Sequence, residues 1–136
     1  MTSTKLKKSD FAALSEFRYQ MRRFERFSED VVQAQGITPL QYLLLLHLKG
    51  YPERDWATVG ELAERLQAKH HGVVALITRC EAMELVARRH SVEDRRRVEV
   101  HLLPKGETIL AQLAEQHRIE LLSLQGIFTI PNIRHE

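Results

Sequence analysis

The stretch from Thr58 to Leu103 constrains the fold more than any other, because its hydrophobic spacing changes there from helical to strand-like while its charge turns basic. Thr58 followed three residues later by Glu61 is a capping box ahead of a short helix through Leu66, with Leu62, Ala63 and Leu66 on the inner face. A turn over 67–70 leads into a longer helix, from about Lys69 to Met83, whose inner face is marked by Val73, Val74, Leu76, Ile77, Cys80 and Met83. Ala63 and Val73 stand ten residues apart, as a helix-turn-helix needs where its two helices cross. Beyond Leu85-Val86 the pattern alternates: Val98, Val100 and Leu102 face one way, Arg97, Glu99 and His101 the other. Val86 to His90 is the expected pairing partner, and the loop between carries Arg95 and Arg96 at its tip. A helix pair followed by a basic hairpin predicts a mainly α fold with a small β-hairpin wing, the form of a winged DNA reader.

The flanks supply helices. From Ser9 to Gln35 the residues Phe11, Leu14, Phe17, Met21, Phe24, Phe27 and Val31 recur at helical steps; Ser9 or Asp10 would cap the start and Gly36 the end. The charges on the opposite side read as a solvated face. Thr38-Pro39 opens a second helix whose run QYLLLLHLK is apolar nearly all round, predicting burial on every side, and Gly50-Tyr51-Pro52 ends it. The linker PERDWA is polar apart from Trp56. From Pro104 a further long helix carries Ile109, Leu110, Leu113, His117, Leu121 and Leu124 along one side, more than the small head can cover, so two chains are expected to bury these ends against each other. In the tail, Ile127, Phe128, Ile130 and Ile133 predict packing, and Pro131 stops a helix from running through it. There is no internal repeat.

A chain of 136 residues suits one domain, 1–136, divided into dimerisation helices at 10–36 and 104–136 and a winged helix-turn-helix at 37–103. Net charge is only +2, but Arg65 to Lys105 holds nine Lys and Arg against five Asp and Glu, while the remainder holds eleven against thirteen. Positive charge therefore collects on the expected reading head. A single cysteine, Cys80, excludes an intrachain disulfide and reads as a small buried hydrophobe; with no apolar run long enough for a bilayer or a secretory signal, the expected compartment is the cytoplasm, with no membrane partner. His47, His70, His71, His90, His101 and His117 show no zinc-ligand spacing, and no nucleophile with its base, paired acid and base, or phosphate loop occurs. Neither an enzyme nor a metal or other cofactor is expected.

On a symmetric homodimer, the helix from Lys69 would enter the major groove of double-stranded DNA, with Lys69, His70, His71, Val74, Ala75, Thr78 and Arg79 as its reading or phosphate-contacting residues. Arg95 and Arg96 suit a narrow minor groove, and Arg88, Arg89 and Arg97 extend the basic hairpin, five arginines against two acids between residues 88 and 97. Two heads about 34 Å apart call for an inverted-repeat operator.

The segments Leu85-Val86, Val92-Glu93-Asp94-Arg95-Arg96-Arg97-Val98 and Leu102-Leu103-Pro104-Lys105-Gly106, with Gly36 to Tyr42 and Lys69 to Val74, resemble the signature of the MarR (multiple antibiotic resistance regulator) transcription factors, in order and spacing, from about residue 10 to 125. The resemblance implies a homodimeric winged helix-turn-helix regulator, most often a repressor, with Arg96 entering the minor groove and Asp94 bracing the wing. It also implies a small-molecule site between the dimer helices and the head. Tyr19, Arg22, Arg23, His47 and Trp56 are its candidate residues for a small aromatic or phenolic effector, with an arginine of the first helix as counter-ion to a carboxylate. Three departures stand out: Leu103 where the family has Thr, which removes an N-cap; Glu84 where a Gly precedes Leu-Val; and a tail with Pro131 where the family has a final helix that adds to the dimer contact. The competing reading is a winged-helix protein-interaction module that does not touch DNA.

Overall fold

In the computed structural model, which describes residues 5–127 and 129–132, eight elements follow one another: α1 (Lys8–Ala34), α2 (Pro39–Lys49), β1 (Trp56–Ala57), α3 (Val59–Leu66), α4 (His70–Ala82), β2 (Val86–His90), β3 (Val98–Leu102) and α5 (Pro104–Ser123). Local chemistry sets most of these limits. The Thr58 hydroxyl accepts from Glu61 N–H while the Thr58 N–H donates to the Glu61 carboxylate, and Thr38 and Gln41 repeat the arrangement at the start of α2. Each such cap is worth about 1 kcal/mol. Gly36 closes α1 at φ +81°, a left-handed conformation that costs glycine little. At the other end neither Ser9 nor Asp10 is the N-cap: Lys7 is, and Asp10, a turn further in, accepts from the Lys7 N–H at 2.8 Å.

The core is organised around α2, whose Leu44, Leu45 and Leu48 are fully buried against Val32, Leu62, Val73, Ile77, Cys80, Val86, Val100, Leu110 and Leu113. Each such aliphatic side chain contributes roughly 1.5–3 kcal/mol of burial. The expected burial of α2 on every side is not met: Leu40, Leu43 and Leu46 are exposed, the last two bordering an open hollow beside α1 and α5. Likewise none of Phe11, Leu14, Phe17, Met21, Phe24, Phe27 and Val31 on α1 is fully buried. The sheet holds one strand more than the expected hairpin. Its order is β1-β3-β2, antiparallel throughout, with Trp56 opposite His101 and Val86 opposite Leu102, so Val100 lies on the central strand and is fully covered.

The tail corrects a second expectation. After α5 ends at Ser123, Ile127, Thr129 and Pro131 border a small hollow with Ala13, Phe17 and Gln20 of α1, yet Ile127 and Ile130 remain exposed rather than packed; Phe128 and Ile133 lie outside the described residues. Leu103, at the N-cap of α5, makes no capping hydrogen bond with its side chain. Glu84 occupies φ +61°, a conformation that strains any residue with a Cβ. Glu84→Gly is expected to raise stability by about 0.5–1 kcal/mol, the relief of strain exceeding the added entropy of the unfolded chain. Urea unfolding reads this as a higher midpoint at unchanged slope.

Candidate nucleic-acid interface

Burial divides α4 into two faces. Val73, Leu76, Ile77 and Cys80 point into the core, where burial pushes the Cys80 thiol up to about 11, against a smaller opposing effect of Arg79, and leaves it an inert hydrophobe at neutral pH. Turned outward are His71, Ala75 and Thr78, with Lys69, His70 and Arg79 exposed beside them and Val74 half-buried. The structure thus places the expected reading residues on one exposed stripe of a helix whose other face is anchored.

The wing is held by its own hydrogen bonds. Ser91 is buried, and its hydroxyl accepts from the N–H groups of Glu93 and Asp94, each at 3.2 Å, while its own N–H donates to the Arg97 carbonyl at 2.9 Å. Arg97 N–H donates back to the Asp94 carbonyl, and the His90 ring nitrogen Nδ1 donates to the Arg95 carbonyl. The Asp94 carboxylate accepts from the Arg96 N–H at 3.0 Å and lies 3.4 Å from its Nε. Seven interactions within residues 90–97 leave this loop little freedom. Arg95 and Arg96 project from it, the Arg96 side chain 94% exposed. Ser91 gave no sequence signal of this role, since a single serine in a polar loop has none.

Arg97, expected as part of the basic hairpin, has its guanidinium over the Trp56 ring, 5.0 Å from the centroid and 3.8 Å from Glu99. Trp56 is covered on a further contact by Arg54, 4.0 Å from its ring; Arg54 also stacks on Tyr51 at 4.4 Å and pairs with Glu61 of α3. Glu61 is correspondingly shifted: burial opposes its charge, but the Thr58 N–H, Arg54 and the Tyr51 hydroxyl outweigh that and hold its carboxyl below the usual range. This stack ties the wing base to the start of α3.

A second tie was not foreseen. Arg88, on β2, donates from its guanidinium to the Glu81 carboxylate, to the Val74 carbonyl at 3.1 Å and to the Thr78 hydroxyl at 2.9 Å, and its backbone N–H meets Glu81 at 2.9 Å. Read in the sequence only as one basic residue in a run, it is the tie between the wing and α4.

Of the five expected effector residues, three come together: Tyr19, Arg22 and Arg23 border a hollow of 290 Å³ with Glu25, Arg26 and Glu29 on the outer face of α1, where Arg23 lies over Tyr19 and Arg22 pairs with Glu25 at 3.7 Å. Trp56 is committed to its stack. His47 is half-buried on α2, held below its ordinary pKa by burial and then by the Arg65 charge. What the helices enclose instead is an open apolar groove of 620 Å³ between α1, α2 and α5, lined by Phe24, Ser28, Tyr42, Leu43, Leu46, His117, Arg118 and Leu121 among others. At its floor His117 donates from Nδ1 to the Leu113 carbonyl, accepts from the Ser28 hydroxyl at 2.8 Å and stacks on Tyr42 with ring centroids 4.6 Å apart. The cation here is Arg118 of α5, paired with Glu115, and not an arginine of α1. Among the described residues no cluster of His, Cys, Asp and Glu could hold a metal, and no helix is long and apolar enough to cross a membrane.

Comparison with known proteins agrees with this geometry. Residues 35–97 match the MarR family model. The chain is 31% identical over 87 residues to the HTH-type transcriptional repressor MdtR of Bacillus subtilis (strain 168), covering 62% of this chain and 54% of that protein. It is 33% identical over 100 residues to the uncharacterized HTH-type transcriptional regulator YsmB of the same organism, covering 74% of this chain and 66% of that one. The matched segments therefore span between about half and two thirds of these relatives. A MarR family protein from Bacillus stearothermophilus is similar in structure at a TM-score of 0.75 and 25% identity, over 92% of this chain and 86% of the other. A capped helix-turn-helix, a three-stranded sheet ending in an arginine-tipped wing and these likenesses lead to one conclusion: the chain belongs to the MarR family of transcriptional regulators.

Proposed function

We propose that the protein is a cytoplasmic, homodimeric, ligand-responsive repressor that binds an inverted-repeat operator. The observation that carries the DNA-reading part is a pair of exposed arginines, Arg95 and Arg96, on a hydrogen-bonded wing that Arg88 ties to the exposed stripe of α4. Lys69, His70, His71, Val74, Thr78 and Arg79 then meet the major groove and its flanking phosphates, and Arg95 and Arg96 the minor groove. Arg97 acts with Asp94 as a brace. Members of this family regulate transcription and are not enzymes.

Dimerisation through 10–36 and 104–136 accounts for apolar surface that one chain leaves bare: Phe11 is 55% exposed and Ile119 57%, with Leu121 and Leu122 close behind, while 37–103 forms the head. The groove between α1, α2 and α5 is the place for a small aromatic or phenolic effector, with Arg118 as the counter-ion. Lying between dimer helices and head, an occupant would shift the separation of the two heads and so the affinity for DNA. Repression as the sign of regulation follows the naming of MdtR.

Selection from a random duplex pool, followed by fluorescence anisotropy on the enriched site, tests this. The expected site is an inverted repeat bound by two chains, with affinity falling by roughly a thousandfold between about 50 and about 200 mM salt. A chain that sediments as a monomer, enriches no duplex and binds heparin no better than a neutral protein would leave the interaction-module reading in its place.

A further inference from the structure

The contacts around Thr78 determine more than its position. Its Oγ1 lies 3.0 Å from the Val74 carbonyl oxygen and 2.9 Å from Nη2 of Arg88. Two oxygens at that separation require a proton between them, and the carbonyl has none, so the Thr78 hydroxyl must donate to Val74. Arg88, which can only donate, occupies one of the two lone pairs. What remains at the exposed surface of α4 is a single lone pair, an acceptor with no proton to offer. The arrangement is held from outside Thr78: the same guanidinium is clamped by the Glu81 carboxylate and by its own contact with the Val74 carbonyl, at 3.1 Å.

A free threonine hydroxyl rotates and reads donors and acceptors alike. This one is polarised. In the major groove guanine presents only acceptors, N7 and O6, and thymine an acceptor and a methyl group, whereas adenine N6 and cytosine N4 carry amino protons. We propose that Arg88, by fixing the polarity of the Thr78 hydroxyl, makes Thr78 a specificity-determining residue that selects an amino-bearing base, adenine or cytosine, at one position of each half-site. The inference rests on the reading above, that α4 enters the major groove. Arg88 is a positioning residue that need touch no DNA. Its strand places it there only because β2 runs beside α4, so the two functions of the head, the reading helix and the wing, share one side chain.

Site selection from the same random pool with wild type, Thr78→Val and Arg88→Lys tests it. Thr78→Val identifies the position, as the one whose preference changes; wild type is expected to favour adenine or cytosine there by roughly tenfold. Arg88→Lys keeps a cation for Glu81 but loses the fork that reaches Thr78 at the same time, so guanine should be admitted at that position while the rest of the site is unchanged. Wild-type preference for guanine or thymine at that position overturns the proposal. So does an Arg88→Lys protein whose affinity falls equally for every sequence, which marks a brace alone, and so does a Thr78→Val protein with no altered position. Failure of wild type to enrich any duplex is distinguishable from these, and removes the DNA-reading assignment itself. Thr78 is exposed, so its valine variant should fold even if the change at Arg88 does not.

Discussion

Gly106→Ala is expected to lower stability by about 3 kcal/mol or more and the melting temperature by roughly 10 °C. Gly106 lies in the first turn of α5, where an added Cβ would stand 2.2 Å from the Leu85 carbonyl oxygen and 3.0 Å from its carbon. Those atoms belong to backbone and cannot rotate away. Nor can the segment retreat, because Leu103 N–H donates to the same carbonyl at 2.9 Å and Lys105 Nζ reaches the Met83 carbonyl at 3.0 Å. Relief would require pulling α5 from the end of β2, which removes Leu110 and Leu113 from the core. Gly72→Ala is the matching control. Gly72 is exposed inside α4 with nothing within 4 Å of the added carbon, so alanine there should raise stability by about 0.5–1 kcal/mol. Thermal unfolding followed by circular dichroism should give shifts of opposite sign; equal shifts would mean that the close approach of α5 to Leu85 is not a tight one.

The double variant Arg95→Ala, Arg96→Ala should bind the selected operator about 10- to 100-fold more weakly at moderate salt, with the slope of log affinity against log salt reduced by about two. Both side chains are exposed, and the Arg96 guanidinium meets Asp94 in an interaction open to solvent and worth little to the fold. The melting temperature should accordingly stay within a degree or two of wild type. Arg97→Ala separates contact from bracing. Its guanidinium sits on Trp56 and near Glu99, so its loss is expected to cost about 0.5–1 kcal/mol of stability while the salt slope stays near wild type. If Arg97→Ala lowers the slope as much as the tip variant does, the assignment of Arg97 to the wing base is wrong. Anisotropy titrations at four or five salt concentrations are sufficient to tell these outcomes apart.

Much of the fold was legible because its signals are local. Thr38-Pro39, Thr58 with Glu61, and Gly36 announce helix ends through contacts among residues at most three apart. The alternation at Val98, Val100 and Leu102 shows as period two because successive side chains of a strand turn to opposite faces; in the fold Val100 is buried and its four neighbours on β3 are half-buried. β1 was missed for the same reason: two residues are too few to establish any period, and Trp56-Ala57 becomes a strand only by pairing with His101 and Val100. The tail was misjudged since apolar content says that a segment gains by burial, not that one chain supplies the surface.

The proposed reading surface and the groove divide along the same line. The exposure of the outer side of Lys69 to Arg79 and of Arg95 and Arg96 was legible in the sequence, since a helix stripe and a loop tip expose residues by their own geometry. The groove was not, because a hollow between three helices collects residues with no fixed spacing: Ser28 and His117 are 89 positions apart and meet at 2.8 Å, while Tyr19, Arg22 and Arg23 border a separate hollow on α1. Composition and spacing by themselves determined the order of the helices and of the hairpin, most of the helix limits and the basic character of the head. Only the tertiary structure decided which arginines stand out in solvent and which are held against the head. Arg88, Arg95, Arg96 and Arg97 are chemically identical, and it is the packing of β2 against α4 and of Trp56 against the wing base that gives two of them partners and leaves the other two in solvent.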